Sequence, residues 1–213
     1  MPSVEQAQSW YLDDDPVHDF DHVMRVYRIA EKLALAEGAD LEIIRAAALL
    51  HDSVGSAPGN PGEARAEHHI LSAIFARQVL TEEGWAEERI QAVEHCIRAH
   101  RFRNKGEKPQ TIEAQVLFGA DKLDVLGAIG AARTIAYAAL DGQPSYAEPS
   151  QQFLETGVKQ PGEPHSSYHE YLFKLRRVKE LLFTHTGRQI AEQRDAFLRA
   201  FYEQLQAECR GER

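Results

Sequence analysis

Residues 41–52 read LEIIRAAALLHD. Leu41, Ile44 and Ala48 recur at helical spacing, and His51 continues that apolar face. Ser53-Val54-Gly55 then stops the helix and opens space beside His51 and Asp52. An ionised aspartate taken out of water is costly unless it is paired or binds a metal. Alone, the dipeptide reads as a core histidine beside a helix-terminal aspartate. Two further residues change that reading.

His22 precedes Val26 by four residues and Ile29 by seven, so it lies on the inward stripe of the preceding helix. A second inward histidine can face the first, and two histidines with a carboxylate suit a borderline divalent ion. Asp121 is flanked at helical spacing by Leu117, Val125 and Ala128, and an aspartate in an apolar stripe needs a partner. A salt bridge to an arginine or a capping role near Gly119 would also meet that need. The order is His22, then His51-Asp52, then Asp121, on three helices.

The local strings are HDFDHVMRV (18–26), AALLHD (47–52), ADKLDVLGAIGAART (120–134) and TGRQIAEQRDAF (186–197). In these the chain resembles the HD superfamily of metal-dependent phosphohydrolases, in particular the bacterial YedJ-like and YpgQ-like predicted hydrolases. The likeness runs from about His18 to about Phe201. It implies an all-α fold, a single HD-domain helical bundle, and one divalent metal ion (Mn, Fe, Co, Ni, Zn or Mg) on His22, His51, Asp52 and Asp121. It also implies hydrolysis of a phosphoester or phosphoanhydride, in a nucleotide, by attack of water activated on the ion. Members that hydrolyse ppGpp carry an acidic pair shortly after the HD. Here that stretch is Ser53 to Ser56, without an acid, which argues against ppGpp and leaves the general acid unassigned.

Asp52 and His100 are the expected catalytic residues. His100 extends the apolar stripe of Ile90, Val93 and Ile97, so it points inward to bind phosphate or donate a proton. Arg25, one turn after His22, has a guanidinium suited to paired phosphate oxygens. Lys122 follows Asp121 directly, and Arg101 belongs to a basic group with Arg98, Arg103 and Lys105. Arg25, Lys122 and Arg101 are the expected substrate-binding residues; Arg103 and Lys105 read as a solvated helix end. Asp124 reads as a cap or ion pair. His18 and Asp19 are candidates for orienting a ligand. Glu67, His68 and His69 either line the mouth of the site or simply begin an exposed helix. His95, His165, His169 and His185 read as surface residues.

The rest of the chain is helical in pattern. Helices are expected over about 67–83 (carrying Ile70, Ile74 and Leu80), 86–100, 111–140 with a break near Gly127 or Gly130, 167–183 and 187–208. No segment alternates like a strand. The Gly/Pro-rich stretches 53–62, 104–110 and 141–164 read as loops, the last long enough to suggest a lid or partner element. Residues 1–213 are expected to form one domain, with metal-site helices about 18–140 and C-terminal helices about 166–208. A 213-residue chain that is 43% hydrophobic can bury one sizeable core. A net charge of −9 disfavours nucleic acid and anionic membranes, so the expected partner is a small anionic phosphorylated substrate. Cys96 and Cys209 read as free thiols, and no apolar run reaches the ~18 residues of a membrane span. The N-terminal residues lack the basic and apolar regions of a signal peptide, so a cytoplasmic location is expected. A rival of another class is a non-catalytic sensor or docking module that binds metal and nucleotide. A di-iron oxygenase would need ligands for two ions.

Overall fold

The computed structural model describes residues 1–11, 20–54, 62–101 and 106–213, the side chains of 62–66 excepted. His18, Asp19, Arg103 and Lys105 lie outside the described residues. The described residues form helices and connections without a strand. The helices are α1 (Val4–Gln8), α2 (Phe20–Glu37), α3 (Leu41–Leu50), α4 (Gly62–Glu82), α5 (Glu87–Ala99), α6 (Ile112–Leu123), α7 (Gly127–Leu140), α8 (Gln151–Thr156), α9 (Ser167–Phe173) and α10 (His185–Cys209), with a 3₁₀ helix at Leu175–Leu181. They fall into two compact units, Met1–Asp121 with Leu182–Gly187, and Lys122–Leu181 with Arg188–Arg213.

In the first unit α3 is the central helix. Every residue from Ala46 to Leu50 is fully buried, so the second half of α3 is apolar all round rather than on one face. Asp40 starts it, accepting hydrogen bonds from the amides of Glu42 and Ile43. The helices α1, α2, α4 and α5 pack against it, and α4 runs along α5.

On α4, Ile70 and Ile74 are exposed, and Ser72, Ala73, Ala76, Val79 and Leu80 face inward. Small side chains there let α4 approach its neighbours closely.

In the second unit the ion pair of Asp124 with Arg133 and the bond from Arg194 Nη1 to the Leu123 carbonyl surround the break before α7. The break was expected near Gly127 or Gly130, and both glycines are required. Gly127 has φ +72°, open to glycine and strained for other residues. A Cβ on Gly130 would lie 2.2 Å from the Val125 carbonyl oxygen. The expected helix over 167–183 stops at Phe173 and continues as the 3₁₀ segment. Buried Leu175 and Val178, three residues apart, fall on one edge of such a helix. The expected loop over 141–164 contains α8 and is tied down, with Glu163 accepting from the amide and hydroxyl of Ser150. Cys96 is buried, Cys209 is exposed, and both are free thiols. Among the described residues no single helix is long and apolar enough to cross a membrane.

Candidate metal centre

The last carbonyls of a helix have no partner within it. At the end of α3 each finds one. The Ala48 oxygen is 2.8 Å from His51 Nδ1, the Leu49 oxygen accepts from the Tyr11 hydroxyl at 2.8 Å, and the Leu50 oxygen accepts from the Ser53 amide and hydroxyl. A carbonyl only accepts, so His51 carries its proton on Nδ1 and a lone pair on Nε2. That Nε2 is buried without a hydrogen-bond partner. Burial also holds the His51 pKa down to about 4, so the ring is neutral at physiological pH. A buried, neutral imidazole with an unused lone pair is what a divalent ion binds.

The groups around it complete a donor set. His22, buried on α2, places Nε2 3.8 Å from Asp52 Oδ2 and 3.6 Å from Asp121 Oδ1. His51 Nε2 is 3.6 Å from Asp52 Oδ2. Atoms bound to one ion at roughly 2.1 Å stand roughly 3.4 Å apart in a tetrahedron. The observed separations suit that arrangement better than direct hydrogen bonds. The residues fit the divalent ion, and the donor set of nitrogen and carboxylate oxygen suits first-row metals.

A second triangle shares Asp52. Asp52 Oδ1 lies 3.2 Å from His68 Nε2 and 3.4 Å from His100 Nε2, and the two imidazole nitrogens are 3.3 Å apart. His100 repeats the device seen at His51: it caps α5, and its Nδ1 is 2.5 Å from the Ile97 carbonyl oxygen. Its Nε2 therefore also presents a lone pair. Arg101 Nη1 is 3.4 Å from His68 Nδ1. A guanidinium only donates, so this contact leaves the His68 proton on Nε2, aimed at Asp52 and His100. Burial alone would raise the Asp52 carboxyl. The surrounding imidazoles, His51 first and then His100 and His68, outweigh it and hold the group well below the usual range.

His22, His51, Asp52, Asp121 and His100 are thus brought together, and His68 joins them. The sequence reading left it between the mouth of the site and an exposed helix start. Arg101 reaches the edge of this group through His68. Arg25 is half-buried one turn along α2 from His22, and Lys122 is half-buried in the second unit. Arg98 is engaged elsewhere, paired with Glu107 at 2.6 Å.

Two surface expectations are corrected. His95 is half-buried, 2.5 Å from Glu107 and accepting from the Gln110 amide. His169 is fully buried between Ser166 Oγ at 2.7 Å and Glu163 Oε1 at 3.1 Å. Both staple connecting segments. His185 is exposed as expected.

Comparison with known proteins agrees with this geometry. A sequence model of the HD domain matches residues 19–126, which include all four expected metal ligands. The uncharacterized protein YpgQ of Bacillus subtilis is 30% identical over 99% of this chain and 96% of its own length. The crystal structure of B. subtilis YpgQ in complex with ADP superposes with a TM-score of 0.72, at 29% identity, covering 97% of both chains. An HD-superfamily hydrolase from Bacillus thuringiensis superposes at 0.69, with 30% identity over 97% of this chain and 96% of its own. The chain belongs to the HD-domain family of metal-dependent hydrolases.

Proposed function

We propose that this hydrolase uses one divalent ion, held by His22, His51, Asp52 and Asp121, to cleave a phosphoester or phosphoanhydride bond of a nucleotide. The observation that carries the reading is the buried, unpartnered Nε2 of His51 beside Asp52 and His22. That a relative alike along nearly its whole length was crystallised with ADP supports a nucleotide. The same full-length likeness supports reading residues 1–213 as one domain.

When bound, the ion supplies Lewis-acid activation of water and neutralises charge on the phosphoryl oxygens. Asp52 and Asp121 offset its charge, and the Nδ1–H contact of His51 to Ala48 keeps that imidazole aimed. His100, with its Nε2 lone pair, accepts the proton of the attacking water. His68, with its proton on Nε2, donates to the leaving oxygen. Arg101 holds His68 in that tautomer and, with Arg25 and Lys122, meets the negative charge of the substrate. This division gives the general acid that an acidic pair after Asp52 would supply in relatives that have one.

The test reloads chelated protein with Mn, Fe, Co, Ni, Zn or Mg and offers nucleoside mono-, di- and triphosphates, ppGpp and cyclic dinucleotides, beside Asp52→Ala. Turnover that requires both metal and Asp52 is expected, and the released phosphate or pyrophosphate identifies the bond. Metal binding with no turnover on any substrate would favour a non-catalytic sensor.

A second reading has its own observation: Asp52, His68 and His100 bring donor atoms within 4.8 Å of one another and can hold a second ion sharing Asp52. It requires His68 to exchange its Arg101 contact for the opposite tautomer. Metal content of two ions per chain, falling to one in His68→Gln, would establish it.

A further inference from the structure

We propose that Tyr11 is a positioning residue for the metal centre, its phenol holding the backbone of α3 two residues before His51. The proposal rests on the metal-centre reading above. The Tyr11 hydroxyl donates to the Leu49 carbonyl at 2.8 Å, 38 residues along the chain. The phenol therefore holds the backbone two residues before His51 and three before Asp52.

The tie falls where α3 would otherwise fray. A continuing helix would bring the Ser53 amide to the Leu49 carbonyl. Here that amide goes to Leu50 at 3.3 Å, and the Leu49 oxygen depends on the phenol. Leu49 is fully buried, so water is no ready substitute. Without Tyr11, α3 keeps its packing but loses the bond that sets the direction of the turn carrying both ligands. Burial and the negative charge of Asp52 both push the phenol pKa well up, so the hydroxyl stays a donor throughout the working pH range.

The phenol is itself seated by neighbours. Its ring meets Phe20 at 5.6 Å between centroids, and Phe20 opens α2 two residues before His22. Trp10 meets Phe75 of α4 edge-on at 5.3 Å. Trp10, Tyr11, Phe20 and Val4 pack on a small core of Ala7, Val23 and Leu49. The N-terminal segment thereby touches both helices that present histidines to the ion, and Tyr11 acts only through backbone.

The test titrates apo protein with Co(II) and reads its visible d–d bands, with a thermal melt of each variant. Wild type, Tyr11→Phe and Trp10→Leu are compared; the last loosens the same aromatic cluster and keeps the hydroxyl. Expected is affinity weakened about ten-fold or more in Tyr11→Phe, with altered bands, as for other groups that orient metal ligands. Trp10→Leu should bind as wild type at an equal or larger loss of Tm. Wild-type affinity and bands in Tyr11→Phe, or a matching affinity loss in Trp10→Leu, would overturn the proposal. In wild type alone, the Tyr11 hydroxyl proton should shift on zinc loading. No shift overturns the proposal even if Tyr11→Phe fails to fold. Failure of wild type to bind cobalt would instead sink the metal-centre reading, and this inference with it.

Discussion

Asp52 meets four histidines with two oxygens, and the tautomers of two of them follow from one carbonyl each. His51 and His100 share a rule: a histidine capping a helix gives its Nδ1 proton to the carbonyl three residues back, and Nε2 is left for chemistry. His68 has Arg101 at Nδ1 and carries the opposite tautomer. Replacing Asp52 by Ala removes the group common to both triangles, so metal content and turnover should both vanish, as read by elemental analysis and phosphate release. His100→Gln retains the first triangle. Under the one-ion reading it should keep one metal per chain while kcat falls by about 10²–10⁴, the usual worth of a general base. A loss of metal in that variant would shift His100 from base to ligand.

Helix ends and breaks carry the next level of argument. Between α6 and α7 the chain turns where Gly130 leaves room for the Val125 carbonyl and where Arg133 pairs with buried Asp124. Breaking such a pair on one side leaves a buried charge unpaired, so Arg133→Met should cost about 3–5 kcal/mol in urea unfolding. Changing Asp124 to Leu in the same protein should restore most of that; no restoration would mean that Arg133 acts through other contacts. The staple around α8 titrates. The Glu163 carboxylate accepts from the backbone of Ser150, then from the Ser150 hydroxyl, the Gln160 amide and His169, and its pKa is depressed to about 2. A folded pKa below the ordinary 4.5 means the staple contributes fully above that ordinary value. The contribution falls away as pH drops toward the folded pKa. The Ser150 amide proton, followed by NMR, should titrate with a midpoint near 2; a midpoint near 4.5 would show the staple open in solution.

For the molecule as a whole, the metal is a ligand of the folded state. An ion at 100 times its Kd stabilises the native state by about 2.7 kcal/mol. Chelation should therefore lower Tm, and Tm should rise again with added metal in a concentration-dependent way. Because His22, His51, Asp52 and Asp121 all belong to the unit of Met1–Asp121 with Leu182–Gly187, probes in that unit should respond first. A Tm indifferent to chelator and metal would contradict the donor set. Arg25, Arg101 and Lys122 are the proposed cationic contacts of an anionic substrate in a chain of net charge −9, so substrate KM should rise with ionic strength through screening.

The amino-acid sequence by itself determined the helical class and singled out the residues proposed as metal ligands. An inward histidine or aspartate on a stripe of Val26, Ala48 or Leu117 has no stable role without a partner, and that contradiction is visible in one dimension. Family likeness in the strings around Asp121 then named the partner. Only the tertiary structure decided which other side chains join. His68 rides on a stripe of Ser72 and Ala76, which looks like surface until a neighbouring helix is seen to press against it, while Ile70 and Ile74 misdirect the phase. His169 was misread as surface, although Ser166, as its helix cap, is a local signal three residues away. The contacts of Tyr11 and Arg101 reach 38 and 33 residues along the chain, and the His68 tautomer depends on which of its atoms faces Arg101. Periodicity records that a residue is buried; what it meets there is set by the packing of separate helices.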